Sequence, residues 1–163
     1  MTLEERAKQL KKIQSQLPGV LDGIAKDATI RAIEKAADMT PGTHDDLSGT
    51  NTRSAGMKQH WDTDSDKTPK RSGETLTTVL ANNKNYASYV NDGHRMDRHF
   101  VPGLNVNPAS GMLEMDPNGK GGIVVGTKTS YVPGLYMVDA AKKVYQETVE
   151  SEAKKRIEKL FNE

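Results

Sequence analysis

The side chains in this sequence best equipped for chemistry are its four histidines. Two of them, His94 and His99, lie in one short stretch with Asp97 between them, and His44 is followed directly by Asp45 and Asp46. Neutral imidazole and carboxylate together can hold a divalent ion and activate water, which would describe a metal-dependent nuclease or processing enzyme centred on His94, Asp97 and His99. The spacing argues against it. No two histidines stand at the i, i+4 separation that puts a ligand pair on one helix face, and Arg95 and Arg98 sit inside the window, where they raise the cost of adding a cation. Polar loop histidines are the better reading, and no catalytic residue, metal or cofactor is expected.

Other chemistries fare no better. With no cysteine, disulfides, thiolate ligands and a Cys nucleophile are excluded. Serines and threonines abound, but none stands in a Gly-x-Ser-x-Gly elbow. Gly119, Gly121 and Gly122 lack the Lys-Ser/Thr of a phosphate loop and read as turn glycines. The basic residues Arg53, Lys58, Lys67, Lys70 and Arg71 alternate with Asp62, Asp64 and Asp66, and the net charge is only +1. That balance exerts no long-range pull on nucleic acid or an anionic membrane.

The elements that must position these residues can be followed in order. At 163 residues the chain fits a single domain, 1–163. Thr2 and Glu5 have capping-box spacing, and Leu3, Ala7, Leu10, Ile13 and Leu17 form the stripe of a first helical arm over residues 1–18, which Pro18-Gly19 is expected to hinge. From Val20 to Met39 a second helical stretch carries a stripe of small residues, Ala25, Ala28, Ala32 and Ala36, beside Ile24, Ile30 and Ile33. The stripe suits close packing on a sheet or a neighbouring subunit, or alanine chosen for helix propensity alone. Thr40-Pro41-Gly42 ends it.

Residues 43–73 are polar and expected to be an extended loop, anchored where a helical turn sets Met57 and Trp61 four apart; 62–72 reads as an exposed, mobile connection. Residues 74–81 are rich in β-branched side chains, with Leu76, Thr78 and Leu80 on one face, and predict a strand. Phe100-Val101-Pro102 reads as extended, 104–122 as a second extended loop or long hairpin, and Ile123 to Val125 as its return. A last helix begins after Val132-Pro133-Gly134, with an apolar side formed by Met137, Ala141, Val144, Thr148, Ile157, Leu160 and Phe161. The fold class is therefore α+β: a small, mainly antiparallel sheet flanked by a long N-terminal and a C-terminal helix, with long polar loops. The N-terminus lacks a signal peptide's order of charge and apolarity, and no apolar run reaches a membrane span's length.

Residues 85–103 concentrate what is scarce elsewhere. Tyr86, Tyr89 and Phe100 are three of only eight aromatics in the chain, the sum of five Tyr, two Phe and one Trp. Tyr86, Tyr89 and Val90 fall at i, i+3 and i+4 and are expected to form a buried helical face that Gly93 stops. Pro102-Gly103 reads as a turn, and His94, Arg95 and Arg98 are left as the exposed part.

Read together, Tyr86-Ala-Ser-Tyr-Val-Asn-Asp-Gly-His94, then Phe100-Val-Pro-Gly103, then Tyr131-Val-Pro-Gly-Leu-Tyr-Met137, resemble the tail-completion or head-tail joining family of long-tailed phages and prophages. The first is similar to that family's Tyr-Ala-x-Tyr-Val-x-x-Gly-His signature; the last, with Tyr131, Pro133, Gly134 and Met137, is similar to its approach to the final helix. Thr40-Pro41 after an Ala-rich helix fits the family's upstream landmark. The resemblance spans about residues 20–160. It departs at Thr43 to Trp61, longer than the family's compact segment, where Gly49 and Gly56 both stand as candidates for its glycine. The resemblance implies a non-enzymatic virion protein of the neck. Its partners would be the connector or stopper and the tail tube or terminator, and further copies of itself in a ring, sixfold by expectation, through which DNA passes as cargo. The alternative role within that setting is a tail terminator. No membrane is involved.

Overall fold

The computed structural model describes residues 2–41, 56–95, 97–111, 113–116, 118, 120–125 and 131–162. Residues 43–55 of the first expected loop, with His44, Leu47, Gly49 and Arg53, lie outside them.

The first helix, α1, runs from Leu3 to Met39. Its start is the capping box that Thr2 and Glu5 suggest: the Glu5 N–H donates to Thr2 Oγ1 at 3.2 Å and the Thr2 N–H to Glu5 Oε2 at 2.7 Å. The expected hinge at Pro18 is absent, because α1 passes through Pro18 unbroken. A mid-helix proline forfeits one backbone hydrogen bond and costs about 3 kcal/mol. Packing on both sides offsets that cost: Ile13 is buried before the proline, and Ile24, Ala25 and Ala28 after it. The Pro18 carbonyl is not idle, since the Arg71 guanidinium donates to it at 3.3 Å.

The small-residue stripe finds its partner within the chain. It packs on α4 (Met137–Asn162), the most extensive helix pairing in the molecule. The core gathers Ala32, Ile33 and Ala36 of α1, Met57 and Trp61 of α2 (Gly56–Thr63), Ala87 of α3 (Ala87–Asp92), and Met137 and Ala141 of α4. Thr40, at the end of α1, joins three elements through one buried hydroxyl. It donates to the Ala36 carbonyl at 2.8 Å, accepts the Trp61 indole N–H at 2.8 Å, and lies 3.3 Å from Met137 Sδ.

The connection expected to be mobile over 62–72 is instead the end of α2 and a strand, β1 (Asp66–Ser72), antiparallel to β2 (Thr75–Val79). Polar composition concealed it. β1 is held by backbone pairing and by ion pairs, Lys67–Asp62 at 2.6 Å and Arg71–Asp22 at 2.8 Å, rather than by an apolar face. β2 has the expected alternation, with Leu76 and Thr78 turned inward.

The remaining strands are β3 (Gly93–Arg95), β4 (His99–Pro102), β5 (Leu104–Val106), β6 (Leu113–Met115), β7 (Gly122–Val125) and β8 (Tyr131–Pro133). They pair β3 with β8, β4 with β7 and β5 with β6, all antiparallel. The three ladders are nested, so together they make one two-stranded arm that leaves the body at Gly93 and returns at Pro133. The chain is α+β, as its sequence implies, with antiparallel strand pairs in place of one sheet.

Candidate interaction arm and its root

The root of the arm is where the two strands meet α3 and α4. Gly93 ends α3 at φ 80°, ψ 171°, a region open essentially to glycine alone. A Cβ there would come within 2.6 Å of Gly134 N and Val132 O. Gly134 faces the same crossing from the other side, where a Cβ would run into the backbone of Asn91 and Asp92. Around this crossing the Leu135 N–H donates to the Val90 carbonyl at 3.0 Å and the Tyr136 N–H to the Asn91 carbonyl at 2.9 Å. Asn91 Oδ1 accepts from the Val138 N–H at 3.0 Å, capping α4 from another element. Tyr131 Oη reaches the Asp92 carbonyl at 3.4 Å. Met137, fully buried, pins the start of α4 to the core. Val90, Gly93, Tyr131, Pro133, Gly134 and Met137 are thus brought together.

The expected buried face of α3 is corrected. Tyr86 and Tyr89 are 43% and 57% exposed, and Phe100 is 56% exposed. The six-residue helix begins at Ala87, which is buried, and Val90 and Asn91 follow it inward. The inward face is therefore rotated by one residue, about 100°, from the spacing of the tyrosines. Tyr89 instead meets His94 edge to face, with ring centroids 5.7 Å apart.

The histidines are engaged locally. His94 Nδ1 lies 3.4 Å from the Tyr89 carbonyl and His99 Nδ1 2.7 Å from the Asp97 carbonyl. Among the described residues no group of three or more His, Asp or Glu could hold a metal ion. Arg95 and Arg98 are exposed near the root, as expected of them. The sequence reading missed His60 and Asp64, whose i, i+4 spacing at the end of α2 was the available signal. They pair at 2.7 Å, and the Asn83 N–H donates to the same carboxylate at 2.8 Å. The Asn83 N–H, followed by His60, holds Asp64 below the ordinary carboxylate pKa.

Along the arm, Pro102 pairs with Gly122, and the Phe100 ring lies over that glycine. Buried Gly103 joins the middle ladder to the outer one: its N–H donates to the Gly121 carbonyl at 2.9 Å and its carbonyl accepts the Asp116 N–H at 2.8 Å. The tip beyond it has two unlike faces. Leu104 pairs with Met115 and Val106 with Leu113, so these four share one face, while Asn105 and Glu114 share the other. Asn107 closes the tip, its Oδ1 accepting the Ala109 N–H at 2.8 Å and its amide donating to Glu114 at 2.7 Å.

Compared with known protein families, with curated proteins and with solved structures, the chain matches none. The geometry therefore carries the functional argument. Among the described residues it offers an arm rooted at a glycine crossing, with large apolar side chains in solvent: Phe100, Val106, Leu113, Met115, Val124 and Tyr131.

Proposed function

We propose that this chain is a structural subunit of the neck of a long-tailed phage or prophage, completing the tail or joining it to the head as a ring of copies that DNA traverses. One observation supports assembly above the others. A two-stranded ribbon is marginal by itself in water, yet this one projects with exposed aromatic and aliphatic side chains along its length. Covering such a surface is the ordinary function of a subunit interface. The residues that resemble the tail-completion signature include Gly93, Gly134 and Met137, which lie at the root of this arm. Near-neutral charge suits a conduit, since a strongly basic wall would hold DNA through counterion release.

Native mass measurement of the purified chain should give a ring at micromolar concentration. Particles assembled without it should appear by electron microscopy as full heads separate from finished tails. Overlong tails would assign it to tail termination instead, and unaltered particles lacking the protein would remove the virion role.

A further inference from the structure

The first turns of α1 present a second apolar surface, remote from the β arm. Residues 3–8 are all exposed, Leu3 at 91%, and Leu10 is 47% exposed. At about 100° per residue, Ala7 and Leu10 fall within about 40° of Leu3, so the three make one narrow strip. Glu4 and Lys11 stand together on one flank of it, about 80–100° round from Leu3, with the lysine about two turns further along. Neither side chain makes a hydrogen bond or ion pair among the described residues. The other flank is committed within the copy. There the Gln9 amide donates to the Phe161 carbonyl at 3.2 Å, beside the end of α4, and Gln9 Oε1 accepts from the Arg6 guanidinium at 2.7 Å.

We propose that this strip pairs, antiparallel, with the same strip of a second copy about a two-fold axis at Ala7. In such a pair like flanks face each other, and a residue before the axis meets the one equally far beyond it. Leu3 then lies beside the partner's Leu10 and Glu4 beside the partner's Lys11, and the axis repeats both contacts in reverse. The charge order along the flank, acid first and base second, is thus complementary to itself in this direction alone. A parallel pair would turn the two charged flanks away from each other. Two segments this short bury less than the roughly 1,200 Å² of a standard interface. The contact is therefore weak between free copies and gains strength where several are held together. Being isologous it closes at two copies, so it does not rest on the ring, whose contacts are head to tail.

Because the chain has no cysteine, one introduced at the axis reports the pairing directly. Ala7→Cys, mildly oxidised, should give a disulfide dimer, since facing residues on the axis of a closely packed helix pair come within disulfide range. Lys12→Cys, on the opposite side of α1, should give little. Adding Leu3→Glu and Leu10→Glu to Ala7→Cys should slow crosslinking by more than about tenfold, with the helical circular dichroism unchanged. Charge reversal tests the direction. Two Ala7→Cys proteins, one also carrying Glu4→Lys and the other Lys11→Glu, should each crosslink slowly alone and quickly when mixed. Equal rates for Ala7→Cys and Lys12→Cys overturn the pairing and leave the strip to a different protein or to none. A mixture no faster than its components overturns the antiparallel arrangement, and the proposal with it. A chain that crosslinks through Ala7→Cys yet forms no ring keeps the pairing and overturns the ring alone.

Discussion

The helical body and the β arm solve the problem of burying apolar surface in opposite ways. In the body, Ala32, Ala36 and Ala141 let α1 and α4 approach closely, and Trp61 and Met137 fill what remains, so the apolar side chains there are covered within one copy. In the arm, three short ladders use nearly all their residues on pairing with each other, and the largest side chains they carry, Phe100, Met115 and Tyr131, are roughly half exposed. The difference teaches where each region's stability resides: the body's lies in buried contacts within one copy, whereas the arm draws on its ladders and its glycine-crossed root.

The sharpest way to test that division is to damage the body. Trp61→Ala removes a nearly fully buried indole and its hydrogen bond to Thr40, and should cost about 3–5 kcal/mol of unfolding free energy. Urea denaturation followed by circular dichroism measures it. Phe100→Ala, in the arm, should change the same midpoint little, because its ring lies over Gly122 and solvent rather than in the core. A comparable loss from both would erase the distinction between the two regions.

Cutting the arm at its root should have an intermediate effect. Gly93→Ala forces a side chain into positive φ and against the Val132 carbonyl and the Gly134 amide, a cost of about 1–3 kcal/mol for the backbone alone. The strand crossing can open without unmaking the α1–α4 contact, so amide exchange should accelerate through β3 and β8 while the buried turns of α1 and α4 keep their protection. Acceleration through the whole chain would mean that arm and body unfold as one unit.

What could be read from the sequence follows the same division. The capping box at Thr2, the stop at Thr40, the four-residue step from Met57 to Trp61 and the alternation in β2 were legible, because each is a local pattern with one physical cause. The continuity of α1 through Pro18 was not, since it depends on packing against a helix more than a hundred residues away. β1 escaped notice because ion pairs and a partner strand hold it, not an apolar period. The exposure of Tyr86 and Tyr89 turns on a one-residue shift in where α3 begins, which no spacing rule resolves in a helix of six residues. In the candidate site the glycines were legible as punctuation. Asn91's cap on α4 was not, because its partner Val138 lies far along the chain. The apolar face of the tip needed the pairing register of β5 with β6 before its four residues fell on one side.

The smallest expected effect sits at the join between α2 and the segment after β2, and it is read by pH. Asp64 accepts the Asn83 N–H and pairs with His60, and its pKa is lowered from 3.8. A carboxyl with a folded pKa below its unfolded one contributes stability that is fully present above the unfolded value, and that stability is lost as pH falls through the lower, folded value. Wild-type unfolding midpoints should therefore be level above about pH 5 with respect to this group and decline below about pH 4. Asp64→Asn keeps an oxygen acceptor for the Asn83 N–H but cannot ionise, so its midpoint should be slightly lower near neutrality and its acid decline shallower. Parallel acid limbs for the two proteins would show that this carboxylate fastens nothing, and that the end of α2 is held by buried Trp61 and Met57 and by the Asn82 amide on the Met57 carbonyl.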